Sequence, residues 1–167
     1  MRGYGGDDKL YGDVYSDVMY GDAGNDHLNG LEGGDRIFGG AGNDLIEGWA
    51  GNDILYGDDG TDTVFGGEGA DTFLFMKNTA YSGVDTLRDF NISQNDRINI
   101  KDLLEGYDPL TKSITDFVQI ASEAGKQVVK VDADGGGNNF VAIATIGNIP
   151  VLTDEQALVN SGHLIVA

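Results

Sequence analysis

The chain has 167 residues, with 27 glycines, 2 prolines, no cysteine and a net charge of -18. Without cysteine there is neither a disulfide nor a thiolate metal site, and 28 acidic against 10 basic residues argues against nucleic acid or anionic lipid as a partner, because phosphate groups need the opposite sign. No run reaches transmembrane length and no basic start leads into an apolar stretch, so neither a membrane span nor an amino-terminal signal peptide is expected, and the chain reads as a monomeric fragment of a longer protein.

Residues 1–75 carry a strict nine-residue period. Its fixed point is an aspartate, at Asp8, Asp17, Asp26, Asp35, Asp44, Asp53, Asp62 and Asp71. Five places before each stands a glycine: Gly3, Gly12, Gly21, Gly30, Gly39, Gly48, Gly57 and Gly66. Two places after each stands an apolar residue: Leu10, Met19, Leu28, Ile37, Ile46, Leu55, Val64 and Phe73. A second glycine series, Gly6, Gly24, Gly33, Gly42, Gly51, Gly60 and Gly69, is broken by Tyr15. Gly40 and Gly67 follow the first glycine in their repeats. Glycine tolerates positive φ and close backbone approach, both of which tight turns use.

A short strict period means one local structure, repeated and stacked. Two nonapeptides make one flattened coil of 18 residues, each giving a short strand and a tight turn. The apolar series points inward from opposite walls, and stacked strands lie roughly 4.8 Å apart. One edge then carries Asp8, Asp26, Asp44 and Asp62, and the other Asp17, Asp35, Asp53 and Asp71.

Such edges repel themselves unless a cation lies between the turns. Residues 1–75 hold 16 acidic and 3 basic residues, against 12 and 7 in residues 76–167. Calcium fits best, as a hard cation taking about 6 to 8 oxygens in flexible geometry. Magnesium needs a smaller, stricter octahedron. Zinc lacks its usual ligands, since the only histidines are His27 and His163. Two carboxylates cannot fill the shell alone. The expected ligand set is therefore the eight aspartates with carbonyls of the turn glycines Gly21, Gly24, Gly30, Gly33, Gly39, Gly40, Gly42, Gly48, Gly51, Gly57, Gly60, Gly66, Gly67 and Gly69. One ion in each same-edge gap gives about six calcium ions. Without calcium so many glycines and repelling carboxylates stay disordered, which makes binding and folding one equilibrium.

Other repeat positions have plainer readings. Asp13, Asp22 and Asp58 are exposed turn residues or outer ligands. Tyr11, Tyr20, Phe38, Tyr56 and Phe65 cover a flank or form a binding surface. Ser16, Asn25, Asn43, Asn52 and Thr61 precede aspartates and make local hydrogen bonds.

Thr72–Met76 reads as a strand leaving the last coil, with a domain boundary between residues 75 and 76. Beyond it come ordinary strand patterns at 85–90, 96–100, 117–120, 127–131 and 140–146. Residues 132–137 make a plausible hairpin connection between the last two. Lys101–Glu105 suits one helical turn, and the apolar-rich residues 158–167 have room for a final strand. Residues 76–167 are expected to form a β-rich cap over the open edge of the coils. Asp85, Asp89 and Asp96 are candidates for one junction calcium. Asp132 and Asp134 lack the glycine and glutamate of a helix-loop-helix calcium loop, so a turn is the default.

The series Gly-Gly-x-Gly-x-Asp-x-apolar-x over residues 3–74 resembles the RTX repeats of bacterial secreted proteins, although Asp13, Trp49 and Asp58 replace the second glycine in single repeats. That resemblance implies an all-β fold: a right-handed parallel β-roll with calcium at its turns, followed by a β-rich capping and secretion domain. Gly83–Phe90, Asn95–Ile100 and a late valine-rich hairpin resemble the carboxy-terminal type I secretion target region of large RTX adhesins. This implies export to the medium or cell surface through an ABC transporter, an adaptor and an outer-membrane channel. Acidic repeats would thread that channel unfolded and collapse onto calcium outside. No Ser-His-Asp order and no His-Glu-x-x-His is present, so independent catalysis is not expected. The alternatives are the noncatalytic tail of a secreted enzyme or toxin, and a weak carbohydrate- or surface-binding module; a flat threonine array for ice is absent.

Overall fold

The computed structural model describes residues 1–136, 139–147 and 155–166. Gly137, at the end of the expected hairpin connection, and the final Ala167 lie outside them.

Two sheets face each other. In one the order is β1 (Lys9–Tyr11), β3 (His27–Asn29), β5 (Leu45–Ala50), β7 (Thr63–Glu68), β9 (Asp85–Leu87), β13 (Val141–Ile146), β12 (Lys126–Val131) and β11 (Val118–Glu123). In the other it is β14 (Leu164–Ile165), β10 (Arg97–Asn99), β8 (Thr72–Leu74), β6 (Ile54–Asp59), β4 (Arg36–Ala41) and β2 (Val18–Ala23). Odd repeats build one wall and even repeats the other, as an 18-residue coil requires. The parallel register confirms the step: Leu10 pairs with Leu28, Leu28 with Ile46 and Ile46 with Val64. Met19, Ile37, Leu55 and Phe73 do the same opposite.

Strand alternation turns every second side chain inward. Met19, Leu28, Ile37, Ile46, Leu55, Val64 and Phe73 are fully or almost fully buried. The same alternation puts the first glycine of each turn, such as Gly21, on the inner face beyond the apolar residue. With two inward apolar side chains per coil the core is thin, so the turns matter unusually to stability.

The sheets do not stop at residue 76. Strand β9 adds to β7 in parallel, and β10 adds to β8. β13 and β14 then extend these two strands, again in parallel. β12 pairs antiparallel with both β13 and β11, and these strands close the end of one sheet. The strands expected after residue 76 are thus present, but they continue the two walls and do not stand apart as a separate cap. The core is likewise one cluster, passing from Phe73 through Leu87, Phe90, Ile98 and Ile146 to Leu164.

Two local expectations change. A helix, α1 (Glu155–Ser161), precedes the final strand. Lys101–Glu105 tightens to a 3-10 turn over Lys101–Leu103. Among the described residues no helix is long and apolar enough to cross a membrane.

Candidate metal centre

Each repeat aspartate folds back under its own turn. From Asp26 onward its Oδ1 accepts the backbone N–H of the aspartate one coil earlier: Asp26 Oδ1 from Asp8 at 2.8 Å, Asp44 Oδ1 from Asp26 at 2.7 Å and Asp62 Oδ1 from Asp44 at 2.8 Å. The other edge repeats this from Asp17 to Asp35, Asp35 to Asp53 and Asp53 to Asp71 at 2.8, 2.8 and 2.9 Å. Two ladders of carboxylates therefore run along the edges, as the nine-residue period requires.

The second oxygen is the informative one. Oδ2 of Asp8, Asp26, Asp35, Asp44, Asp53, Asp62 and Asp71 is buried and accepts no hydrogen bond. A buried carboxylate oxygen left in that state is costly. Among the described residues the ion pairs are Arg2–Asp22, His27–Glu47, Lys77–Glu105 and Lys130–Glu123, so none reaches a ladder aspartate.

A second oxygen meets all of these except that of Asp71. A Cβ placed on Gly3 would lie 2.7 Å from both Asp8 Oδ2 and the Gly21 carbonyl oxygen of the next coil. The same pairing recurs at Gly21 (Asp26 and Gly39), Gly39 (Asp44 and Gly57), Gly30 (Asp35 and Gly48) and Gly48 (Asp53 and Gly66). Gly12 brings Asp17 Oδ2 together with the Gly30 carbonyl. The first glycine is thus required for space: a methyl group would fill the cradle between carboxylate and carbonyl. These residues do not have positive φ.

Left-handed backbone lies elsewhere in the turn. Gly24, Gly33, Gly42, Gly51, Gly60 and Gly69 have φ between 123° and 142°. A Cβ on Gly42 would also collide with the carbonyl of Gly24, one coil back, so both shape and φ demand glycine. Position two of the turn is left-handed as well, at Gly40 and Gly67 but also at Tyr4, Asp22, Leu31, Trp49 and Asp58. The Tyr15 turn departs from the pattern: neither Asp13 nor Tyr15 is left-handed, and the N–H of Asp13 donates to Asp17 Oδ2 at 2.9 Å.

Burial dominates the electrostatics. Desolvation raises the carboxyls of Asp44, Asp62 and Asp71 to about 7 and those of Asp53 and Asp85 to about 6. Neighbouring aspartates add to the rise, while backbone N–H donors oppose it. Asp35, Asp58 and Asp96 are raised for the same first reason. Carboxyls so disfavoured as anions need a counter-charge.

The donors suit calcium. They are all oxygen, from single carboxylates and main-chain carbonyls. Among the described residues no three His, Asp or Glu side chains converge on one point, which excludes a site built from side chains alone.

Asp85 and Asp96 extend the two ladders. Asp85 Oδ1 accepts from Asp62 N–H, and Asp96 Oδ1 from Asp71 N–H, both at 3.0 Å. They lie on opposite edges, so Asp85, Asp89 and Asp96 do not gather round one junction ion. Asp89 instead takes the N–H groups of Gly66 and Gly67 at 2.8 and 3.0 Å. The signal for this extension was present: Gly83-Val84-Asp85-Thr86-Leu87 keeps the Gly-x-Asp-x-apolar half of the repeat, and Asn95-Asp96-Arg97-Ile98 keeps a shorter part.

The remaining candidates resolve simply. Asn25, Asn43 and Asn52 offer side-chain oxygens to the N–H one coil later, at Asn43, Thr61 and Ala70. Their bonds join coils and are not local to one turn. Tyr20, Phe38 and Tyr56 stack face to face, with centroids 4.8 and 4.2 Å apart, so their ring faces cover one another. His27 Nε2 meets Glu47 Oε2 at 2.7 Å, and His163 Nδ1 meets the Asp96 carbonyl at 2.8 Å.

The family of RTX calcium-binding nonapeptide repeats matches residues 2–37, 29–64 and 38–73. No curated protein matches the chain. Among solved structures, the AlgE6R3 subunit from the Azotobacter vinelandii mannuronan C5-epimerase, determined in solution, is similar at 26% identity and a TM-score of 0.54. The similarity covers 99% of this chain and 81% of that one. Residues 2–73 are therefore an RTX-type calcium-binding nonapeptide repeat region, in a chain whose mostly parallel β-fold is related to that of the epimerase subunit.

Proposed function

We propose that the chain is a calcium-set folding module, the non-catalytic tail of a secreted enzyme. Asp8, Asp26 and Asp44 on one edge, and Asp35 and Asp53 on the other, hold calcium together with the glycine carbonyls of neighbouring turns. Bound calcium supplies positive charge between carboxylates that otherwise repel. The observation that carries the reading is the row of buried, unpartnered Oδ2 atoms, of which those of Asp8, Asp26, Asp35, Asp44 and Asp53 each share a cradle with a glycine carbonyl oxygen of the next coil. The likeness to the epimerase subunit favours an enzyme's tail over that of an adhesin.

In this reading residues 1–75 are the calcium-responsive part. Residues 76–167 cover its end and carry the export signal, a role supported by the resemblance of Gly83–Phe90 and Asn95–Ile100 to type I secretion target regions. In a low-calcium cytosol the aspartates repel and the chain stays extended enough to pass a transporter, adaptor and outer-membrane channel. Outside, where calcium is plentiful, folding opposes return, because a ligand that binds only the folded state stabilises it by mass action.

Calcium titration followed by circular dichroism, with calorimetric counting of bound ions, tests the module itself. Coupled gain of β signal and uptake of several calcium ions is expected; magnesium at the same concentration giving an equal response would count against the site. Export is tested separately, by fusing the chain to a reporter in a bacterium with a type I apparatus. Equal yields in calcium-free and calcium-rich medium would remove the proposed role of external calcium.

A further inference from the structure

We infer that this chain holds a further calcium site outside the repeat pattern, between Asp62, Asp85 and the turn that begins at Gly57, and that this site joins the carboxy-terminal strands to the roll. The inference rests on the calcium reading above.

The Gly57 turn is the last on its edge, and no further repeat follows to supply a glycine carbonyl. In the preceding turn, the cradle at Gly39 is completed by the carbonyl oxygen of Gly57, 2.6 Å from where a Cβ would stand. At Gly57 the corresponding second oxygen is a carboxylate, Asp85 Oδ2, at 3.0 Å. The other oxygen of that cradle is Asp62 Oδ2, which is buried and has no hydrogen-bond partner. Asp62 is 0% exposed and Asp85 7%. Asp85 Oδ1 is already committed to the N–H of Asp62, which fixes the carboxylate with Oδ2 turned toward the cradle. Two carboxylates held this way out of water need a shared proton or, at neutral pH and above, a cation between them. No lysine or arginine among the described residues pairs with either.

The opposite edge ends differently. Asp89 spends both oxygens on the N–H groups of Gly66 and Gly67. Asp96 spends both on the N–H groups of Asp71 and Asn91. Those carboxylates are satisfied by the main chain. The two edges thus differ in their last carboxylates: Asp85 Oδ2 faces the Gly57 cradle, whereas Asp89 and Asp96 are spent on amide hydrogens and leave Asp71 Oδ2 without a second carboxylate.

The position gives the site a consequence. Asp85 opens β9, the strand between β7 of the repeats and β13 of the carboxy-terminal hairpin. Gly83 packs on the carbonyl of Gly60, and Ser82 Oγ accepts the Gly60 N–H at 2.9 Å, so residues 82–87 re-enter the repeat register after an insertion. A cation at Asp62 and Asp85 fastens this re-entry, and β11–β13 dock only once it is in place.

The test compares the full chain with Asp85→Asn, which keeps an Oδ1 acceptor for Asp62 N–H. Calorimetric titration with calcium should show the variant binding one ion fewer, with amide protons of β13 exchanging at least about tenfold faster at saturating calcium. An unchanged ion count, in a variant that still folds with calcium, overturns the inference and leaves the repeat sites standing. Absence of calcium uptake by the unsubstituted chain would instead remove the reading beneath it. Should Asp85→Asn fail to fold, crystals of the unsubstituted chain soaked in terbium decide the matter. An anomalous peak between Asp62 and Asp85 upholds the site, and peaks confined to the cradles of one carboxylate and one glycine carbonyl overturn it.

Discussion

Asp44 bonds to Asp26 through one oxygen only: Oδ1 takes the backbone N–H of Asp26 at 2.7 Å, while the buried Oδ2 takes no hydrogen bond. The first bond locks the register of neighbouring coils. The second oxygen leaves a charge that the protein itself does not neutralise. Structure and metal dependence thus come from the two halves of one carboxylate.

Asp44→Asn should therefore lower the number of bound calcium ions and raise the calcium midpoint for folding by roughly tenfold, equivalent to about 1.4 kcal/mol. Asp17→Asn should change neither appreciably, because Asp17 Oδ2 already accepts the N–H of Asp13 in a turn without left-handed residues. Calorimetric titration of both variants checks the contrast.

The two kinds of glycine should respond differently to a methyl group. Gly42→Ala meets the Gly24 carbonyl at a φ of 142° and should cost at least about 2 kcal/mol in calcium-saturated thermal unfolding. Gly125→Ala, at a φ of 80° with nothing within 4 Å, should cost only the conformational penalty of about 1 kcal/mol.

Core and metal should be separable. Ile46 is fully buried between Leu28 and Val64. Ile46→Ala should destabilise the calcium-loaded form by about 2–5 kcal/mol without changing the count of ions. Denaturant unfolding at saturating calcium, with parallel calorimetry, measures both.

Acid should partly replace calcium. Folding raises Asp44, Asp62 and Asp71 to about 7 and Asp53 and Asp85 to about 6, above the ordinary value of 3.8. A proton on such a group favours the folded state, fully so below the ordinary value, and that contribution is lost as pH rises through about 6 to 7. The calcium-free chain should show more β signal at about pH 5 than at about pH 8. The calcium midpoint should fall over the same rise, because calcium no longer competes with protons. Circular dichroism with calcium titrations across this range checks both directions.

Much of this was readable from the period. Asp26, Asp44 and Asp62 share an edge because they are 18 residues apart, and Leu28, Ile46 and Val64 share a wall for the same reason. The period could not show why Gly21 is glycine, since the cause is a carboxylate and a carbonyl from two different turns meeting at its Cα. Nor could it carry Asp85 and Asp96 onto the ladders, because the inserted residues before Gly83 and Asn95 break the count while keeping Asp-x-apolar. The final strand at Leu164–Ile165 lies within the apolar-rich end, as expected, but the helix at Glu155–Ser161 was not legible, because seven residues give a weak helical signal.

The most direct measurement is small-angle scattering of the full chain at neutral pH, before and after removing calcium by chelation and again after restoring it. The account predicts a compact particle with calcium, expansion to the dimensions of an unfolded chain without it, and full recovery on return. A radius of gyration that stayed compact after complete chelation would contradict it.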